Sequence, residues 1–517
     1  MPDLVRALPA RRFGVTFLTS PAYRCAARPA FGTIAPSWPL SGRSPFPSVR
    51  PGLSGGTELL KGRGRRMIRL CISTQTPPIR PLPGAPTSPH ATWKLNRDYI
   101  PQVGGVVPMM RALLGEGSGS WIAPDPRWVA LGSPGIPEHA RTSEGYVVET
   151  VRVPPKELQL YGRFKERVWR SFHGPGFPQF IPEEYRAFVS YSHATADALL
   201  RHLGEVDLYY INDFQQILCG AMIGSAAPSL LRWHIPLEFR GYPEPVRRFF
   251  LRLMEDYDAI VVSTRSALEE LIRAGFHGRA FQVYPYINPA EQKFATASET
   301  QSFKDRYHLG DGPVVLSVSR LDPVKRQDTL IEAFARVRRR FPDAKLLLVG
   351  GGSFSTRRLS QHGLPSKAAF WEARLRALVH RLRLDNVVIM TGELSAEDLK
   401  AAYSSATVFV HPAPWEGFGL VVVEAWLRHL PVVVSRGAGV GELVNDGVNG
   451  YLFPPGSVAG LASRLTRLLA HPSLAERMGD IGAFSAQRCS VRREAPKLRG
   501  IFERTIRQYQ RSGLLSS

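Results

Sequence analysis

Cysteines and long apolar runs are scarce in this sequence, and each shortage excludes a class of protein. Only 4 of the 517 residues are cysteines, and Cys25, Cys71, Cys219 and Cys489 form no C-x-x-C pair. This spacing argues against a disulfide framework or a cysteine zinc site. It fits a reducing compartment, so we expect a cytoplasmic protein. No stretch reaches the ~18 apolar residues of a membrane-spanning helix, so no transmembrane segment is expected.

Acidic residues are also in short supply. The chain has 66 Lys and Arg against 44 Asp and Glu, a net charge of +22, which first suggests a nucleic-acid or anionic-membrane partner. Residues 1–66 hold ten Arg and one Lys but only Asp3 and Glu58, so they carry +9 of that charge. No RNA- or DNA-binding motif accompanies the charge, and we expect no nucleic-acid partner.

The basic segment 1–66 is rich in Pro, Gly and Ser and lacks helix or strand periodicity, so we expect a disordered extension. Two interpretations fit it: an Arg-rich targeting peptide, or a non-native extension upstream of a start at Met67. We favour the second, because Met67 leads directly into MIRLCIS, which has the apolar run of a first α/β strand.

After this segment, short apolar runs alternate with longer amphipathic stretches. DLYYIND (207–213), SLLRWHI (229–235) and AIVVST (259–264) predict buried strands, and a second series runs from PVVLSVSR (313–320) to VVVSRG (432–437). Continuous Val, Ile and Leu strands between amphipathic helices are typical of parallel sheets covered on both faces. The sequence therefore predicts an α/β protein with two doubly wound, Rossmann-like domains that face a cleft.

A polar stretch without strands near residues 288–305 separates the two series. We expect a first domain over 67–295, a second over 296–485, and a final helix over 486–517 that closes back on the first domain. In open parallel sheets, ligands bind beyond the carboxyl ends of the strands. The residues just after each strand are therefore the candidates for function.

Two cations follow the first strand of the second domain. Arg320 and Lys325 stand in SRLDPVKRQD, ahead of a helix, and two cations at a strand end can cradle a diphosphate. A solvated basic loop is the plainer alternative, in which Asp322 pairs with one of them.

A glycine turn between two glutamates follows a later strand. Glu416 and Glu424 stand eight residues apart. The turn after Glu416 is made of Gly417, Phe418 and Gly419. Its glycines let the backbone approach a ligand closely, and a helix that opens near Leu420 offers free N–H groups to phosphate. Glu424 can then reach ribose hydroxyls, and Glu416 can accept from sugar hydroxyls across the cleft.

Residues 313–470 resemble the donor domain of family-4 retaining glycosyltransferases, which have the GT-B fold. The resemblance rests on SRLDPVKRQDTLIEAF, a strand ending in VGGG, EGFGLVVVEA and PVVVSRGAGVGELVNDGVNGYLFPPG. It implies a nucleotide-diphosphate sugar as substrate. By this resemblance Arg320 and Lys325 hold the diphosphate, Glu424 the ribose and Glu416 the transferred sugar.

Other motifs exclude alternatives. GGGSFS lacks the G-x-G-x-x-G spacing and no P-loop is present, so a dinucleotide-dependent enzyme and a P-loop NTPase are not expected. Asp256-Tyr257-Asp258 matches the D-x-D of metal-dependent transferases of another fold. It precedes the strand AIVVST and so lies at the amino end of the sheet, which predicts a helix-to-strand turn. We expect no metal site and no cofactor.

Three residues of the first domain are placed to face the predicted cleft, where Asp213 could accept a hydrogen bond from a hydroxyl. His234 and Asp213 end neighbouring strands, and Gly105 opens the helical run VVPMMRALL, whose amides can face the donor phosphates. Structural alternatives stay open for each: a packed histidine, an aspartate that caps the next helix, and a plain helix entry.

A second resemblance covers about 155–265. YGRFKERVWRSFHG, EEYRAFVSYSHATADALL, YYINDFQQIL and LRWHIPLEFR resemble the acceptor domain of trehalose-phosphate synthases, and RWHIPL and MEDYDAIVVST resemble trehalose synthases. It implies that Tyr161 and Trp169 border the acceptor sugar, that Asp213 contacts its hydroxyls and that His234 contacts the transferred glucose. A Tyr161/Trp169 platform suits a sugar face; a packed helical face fits the spacing equally well.

These features predict a retaining hexosyltransferase that moves glucose from a nucleotide sugar to a sugar acceptor, as trehalose synthases do. Its expected catalytic residues are His234, Arg320, Lys325 and Glu416. Alternatives are transfer to a polysaccharide, lipid or glycerate-type acceptor, a nucleotide-sugar epimerase, and a phosphorylase. A homodimer is left open. The cations that could hold an acceptor phosphate are Arg80, Arg163, Arg357 and Arg358.

Overall fold

The computed structural model describes residues 67–88, 91–102, 104–352 and 367–512. The predicted basic extension at 1–66 lies outside these residues, and so do Arg357 and Arg358.

The first domain is built on a mostly parallel sheet of nine strands. The first eleven described strands are β1 (Leu70–Thr74), β2 (Ile79–Pro81), β3 (Thr92–Trp93), β4 (Tyr99–Pro101), β5 (Arg127–Leu131), β6 (His139–Thr142), β7 (Val147–Val151), β8 (Leu208–Asn212), β9 (Ser229–Trp233), β10 (Ala259–Val262) and β11 (Ala280–Gln282). The sheet order is β11-β10-β9-β8-β1-β5-β7-β6-β3. Among these described strands, only β6 and β7 pair antiparallel. The strands β2 and β4 form a separate antiparallel pair.

Helices cover both faces of this sheet. Its described helices are α1 (Val106–Gly117), α2 (Pro155–Phe172), α3 (Pro182–Leu200), α4 (Cys219–Ile223), α5 (Glu244–Glu255) and α6 (Arg265–Arg273). Successive side chains of a strand point to opposite faces. In β1, accordingly, Cys71 packs with α2 and α3, whereas Leu70 and Ile72 pack with α1. The central strands β1, β8, β9 and β10 are largely apolar because both of their faces are buried.

The second domain holds a fully parallel six-stranded sheet. Its strands are β12 (Val314–Val318), β13 (Lys345–Val349), β14 (Val388–Gly392), β15 (Val408–His411), β16 (Val432–Ser435) and β17 (Tyr451–Phe453). The order β14-β13-β12-β15-β16-β17 reverses direction between β12 and β15. A crevice forms at such a switch point, which is where open α/β sheets bind ligands.

The last described helix returns to the first domain. The described helices of this half are α7 (Ala297–Arg306), α8 (Gln327–Val337), α9 (Lys367–Arg381), α10 (Ala396–Ser404), α11 (Leu420–Trp426), α12 (Val458–Ala470), α13 (Pro472–Ala486) and α14 (Val491–Arg511). On α14, Leu498 and Phe502 are fully buried in the apolar cluster of α1, and the Phe502 ring lies 5.0 Å from that of Tyr210.

The predicted fold class is confirmed: two Rossmann-like α/β domains face one another. The D-x-D segment is also a helix-to-strand turn, as predicted, since α5 ends at Glu255 and Asp258 accepts a hydrogen bond from the Ser229 N–H, 2.8 Å away. Within the described part of the chain, no helix is both long enough and apolar enough to cross a membrane.

Candidate functional site

The loop after β12 carries the two predicted diphosphate cations, and Asp322 does not neutralise either of them. Asp322 begins a short 3-10 turn at Pro323–Lys325 by accepting from the Val324 N–H, 3.2 Å away. Its other oxygen lies 2.9 Å from the ammonium of Lys367 at the start of α9. The predicted alternative, in which Asp322 pairs with Arg320 or Lys325, is therefore wrong.

Lys325 instead forms an ion pair with Glu416 across the switch point. The two side chains are only 12% and 17% exposed. Glu416 follows β15, and Lys325 follows the adjacent β12, so the parallel register brings them to one edge of the sheet. Burial raises the pKa of Glu416, but nearby Lys325 and His411 outweigh it and bring that pKa down to about 2. Glu416 is therefore a carboxylate at any physiological pH.

The glycine turn after Glu416 is held against the first domain. A β-carbon at Gly417 would collide with the backbone carbonyl of His234, so only glycine fits there. Gly419 has φ +105°, and α11 begins at the next residue, Leu420, as predicted. Phe418 is buried. Its carbonyl accepts from the Val440 N–H at 2.9 Å, which pins the turn from behind.

Glu424 lies apart from this pair. It is on α11, where the Tyr403 hydroxyl donates to its carboxylate at 2.9 Å. Burial raises its pKa, against the nearby guanidinium of Arg428. The structure gives it no contact with Lys325 or Glu416, and its predicted role toward the ribose stays a prediction.

On the first domain, His234 and Asp213 meet at the ends of β9 and β8. The His234 Nε2 lies 3.0 Å from the Asn212 side-chain oxygen, and its backbone N–H donates to Asp213 at 3.3 Å. Burial lowers the pKa of His234 well below its ordinary value, so the ring is neutral. The carbonyl of His234 is the one that touches Gly417, so this strand end reaches the glycine turn.

Asp213 is strained and buried. Its φ of +72° with ψ 170° is unusual for a non-glycine residue, and such strain tends to be kept where function needs it. Burial raises its pKa to about 7, against backbone hydrogen bonds from His234, Phe214 and Ile235. The side chain thus titrates near neutral pH.

The two aromatic residues of the predicted acceptor platform have different surroundings. Tyr161 is 1% exposed, and its ring lies 4.4 Å from Tyr191 and 6.2 Å from Phe188, so the packed-core interpretation describes it. Trp169 is half-buried at the domain boundary. The guanidinium of Arg320 lies 5.5 Å from the centre of its ring.

The structure records no contact of Gly105 or Arg80, two of the predicted site residues, with Lys325 or Glu416. Gly105 is exposed before α1, and none of the described atoms lies within 4 Å of a β-carbon built on it. Arg80 pairs with Glu393 of the second domain at 3.0 Å. Its role toward an acceptor phosphate and that of Gly105 toward the donor stay predictions.

Sequence reasoning missed two histidines of this site. His411 ends β15, a position the strand-end rule could have flagged, and it lies 3.7 Å from Glu416. His173 closes α2, where it donates from Nδ1 to the Trp169 carbonyl at 2.8 Å and stacks on that ring at 4.0 Å. Burial lowers the pKa of each ring to about 4, against the neighbouring Glu416 carboxylate.

The described residues contain no group of three or more His, Cys, Asp and Glu side chains arranged to hold a metal ion. The residues of this site offer cations that can bind an anion, carboxylates that can accept hydrogen bonds from hydroxyls, and neutral imidazoles beside them.

Comparison with a family model identifies the second domain. Residues 298–483 match the family described as "Glycosyl transferases group 1". The second domain is a group 1 glycosyltransferase domain. Arg320, Lys325, Glu416 and Glu424 all lie within the matched part of this glycosyltransferase domain.

Curated relatives match about half of the chain. One is the GDP-mannose-dependent alpha-(1-6)-phosphatidylinositol monomannoside mannosyltransferase of Mycolicibacterium smegmatis, 32% identical over 247 residues, which are 46% of this chain and 60% of that protein. Another is the trehalose synthase of Pyrococcus horikoshii, 26% identical over 283 residues, or 54% and 64%. The chain thus spans about 60% of the length of the curated relatives that it matches.

Solved structures match most of the chain. The trehalose 6-phosphate synthase of Burkholderia multivorans aligns with a TM-score of 0.67 at 19% identity, covering 87% of this chain and 99% of that one. The sucrose-phosphate synthase of Thermosynechococcus elongatus aligns with a TM-score of 0.62 at 21% identity, covering 84% and 98%. These structural similarities include the first domain, so the two domains together have the GT-B fold.

Proposed function

We propose that this protein is a retaining glycosyltransferase that moves a hexose from a nucleotide-diphosphate sugar to a hydroxyl of a sugar acceptor, in the manner of trehalose synthases. The observation that carries the proposal is the buried Lys325–Glu416 pair at the switch point, beside the turn that touches His234. A cation for phosphate and a carboxylate for sugar hydroxyls stand within one side chain's reach of each other.

In this proposal the cations stabilise the leaving group. Lys325 and Arg320 bind the donor diphosphate, whose negative charge grows as the bond to the sugar breaks. Glu416, ionised and buried, accepts hydrogen bonds from hydroxyls of the transferred hexose. His234 lies at the end of β9, on the acceptor side of the site.

The anomeric configuration is retained because the acceptor oxygen attacks the anomeric carbon from the same face that the phosphate leaves. The acceptor oxygen bonds to the anomeric carbon, the bond from that carbon to the phosphate oxygen breaks, and the acceptor proton passes to the departing phosphate oxygen. Every atom is accounted for without a protein nucleophile. The protein then contributes by positioning and by charge.

The acceptor is the finer part of the proposal. Trehalose synthases among the relatives support a glucose-type acceptor. A second candidate is an inositol-bearing acceptor, favoured by relatives named as D-inositol 3-phosphate glycosyltransferase and as phosphatidylinositol monomannoside mannosyltransferase. Both candidates use the same donor site.

A matrix of donors and acceptors tests the proposal. UDP-, ADP- and GDP-glucose and GDP-mannose are each incubated with glucose, glucose 6-phosphate, glycerate and inositol 3-phosphate, and products are resolved by mass. An incubation without acceptor detects an epimerase, and one with inorganic phosphate detects a phosphorylase. We expect one donor to yield a glycoside that Lys325→Ala makes at least about 30-fold more slowly. Transfer to no acceptor would overturn the trehalose-type proposal.

A further inference from the structure

His411 is a buried polar group that the function described so far does not use. It ends β15, its side chain is 2% exposed, and neither ring nitrogen has a hydrogen-bond partner among the described residues. Its ring is neutral, so it holds one N–H donor and one lone pair. A buried N–H group without a hydrogen-bond partner destabilises a fold, so an unpaired group of this kind needs a functional explanation.

The neighbours of His411 belong to the candidate donor site. Its Nε2 lies 3.7 Å from the nearer oxygen of Glu416, just beyond hydrogen-bond distance. A β-carbon at Gly419 would stand 3.2 Å from the same nitrogen, so the ring lies directly beneath the glycine turn. The charged groups that act on it are Glu416 and Lys325.

In the structure, the oxygen of Glu416 that faces His411 is taken by Lys325. A donor diphosphate, with more charge than one carboxylate, competes for that ammonium. When Lys325 turns to the phosphate, Glu416 is left ionised and buried, a costly state unless another donor replaces the lost one. His411 is near enough to do so with a movement of roughly 0.5 Å or more.

His173 does not fill this place. Its Nδ1 proton is committed to the Trp169 carbonyl at 2.8 Å, so its neutral ring has no second proton to donate. His411 has both nitrogens uncommitted and is on the same domain as Glu416, so it needs no domain movement.

We propose that His411 is a positioning residue: it hydrogen-bonds to Glu416 when the donor diphosphate binds Lys325 and breaks the Lys325–Glu416 ion pair. Its ring N–H donates to the Glu416 carboxylate and keeps it ionised and oriented, with the other carboxylate oxygen open to a sugar hydroxyl. The inference rests on the proposed function, because it needs a diphosphate at Lys325. It predicts that the hydrogen-bonding ability of residue 411, not its apolar character, governs donor binding.

Three variants of the full chain test this, with UDP and GDP as separate probes in calorimetric titrations. His411→Leu removes the donor, His411→Gln keeps one, and His380→Leu replaces an exposed histidine of the same domain as control. We expect His411→Leu to bind the nucleotide at least about tenfold more weakly, whereas His411→Gln and His380→Leu stay within about threefold of the wild type.

The thermal midpoint supplies a readout that a merely structural role would not produce. We expect His411→Leu to melt at or above the wild-type temperature, because an apolar group replaces an unsatisfied polar one, although it binds more weakly. Equal binding by the Leu and Gln variants, or better binding by Leu, would overturn the proposal.

Lys325→Met distinguishes a failure of the His411 role from a failure of the proposed donor site. If the wild type binds and Lys325→Met does not, the donor site stands, and the His411 variants alone decide the inference. If the wild type binds neither UDP nor GDP, or Lys325→Met binds as well as the wild type, both the donor-site assignment and the His411 role are wrong.

Discussion

The backbone carbonyl of His234 in the first domain lies against the α-carbon of Gly417 in the second. This contact joins the end of β9 to the turn that follows Glu416. A second contact supports it: the Glu442 carboxylate accepts from the backbone N–H of Arg265 at 3.1 Å, at the start of α6. Backbone atoms of both domains therefore help to position Glu416 relative to the acceptor side.

Gly417→Ala should separate these two backbones. The added methyl group meets a carbonyl oxygen that cannot rotate away, and overpacking of this kind costs about 1–3 kcal/mol. We expect turnover to fall at least about tenfold, measured as product formed under saturating donor. Gly500→Ala is the control, because its β-carbon enters open space on α14. Equal activity of both variants would show that the domain contact does not position the site.

Lys325 and Glu416 should act as a coupled pair. Lys325→Ala leaves Glu416 buried without its cation, and we expect a barrier higher by about 2–4 kcal/mol, or roughly 30- to 1000-fold slower turnover. In the free protein, unfolding of Lys325→Ala, Glu416→Gln and the double variant should show a coupling energy of about 1–3 kcal/mol. Additive losses of stability would contradict the ion pair.

Trp169 should affect the donor as much as the acceptor. Arg320 and Lys367 of the second domain lie 5.5 and 4.9 Å from the centre of its ring. Since a cation–aromatic contact is worth about 0.5–2 kcal/mol, Trp169→Leu should raise the donor KM about 2- to 30-fold. Phe370→Leu, at an exposed aromatic residue of α9, is the control. A raised acceptor KM with an unchanged donor KM would instead support the sugar platform.

Much of the fold could be predicted because parallel strands buried on both faces are apolar throughout. β8, β9, β10 and β12 lie within the predicted runs for this reason. The strands β3 and β6 could not be predicted in the same way. They have two and four residues, alternate exposed with buried positions and are polar, so tertiary pairing, not local pattern, makes them strands.

The candidate site was predictable where a strand end fixes it, and not where two domains meet. Arg320, Lys325 and Glu416 follow strands, and parallel register gathers them. Tyr161 and Trp169 are eight residues apart, which places them roughly 80° apart around a helix, so one faces the core and the other the boundary. His173 reaches the site only because α2 ends against the second domain, which no local spacing encodes.

The pKa of Asp213 gives a pH dependence whose sign can be tested. Burial raises this pKa from an ordinary 3.8 to about 7, so between these values the native protein holds a proton that the unfolded chain has released. The stabilisation is complete below about pH 3.8 and is lost as the pH rises through 7. Asp213→Asn removes this titration, so we expect its stability relative to the wild type to rise between pH 4 and 8 by about 2–4 kcal/mol.

Urea unfolding of the full chain at each pH measures this difference. Asp311→Asn, at an exposed aspartate before β12, should follow the wild type at every pH. The catalytic counterpart is a change in the turnover of the wild type near pH 7, where Asp213 changes charge; Asp213→Asn should not show this change even if its overall rate is lower. If the stability of Asp213→Asn runs parallel to that of the wild type from pH 4 to 8, the pKa of Asp213 is not raised in the native protein, and the prediction is wrong.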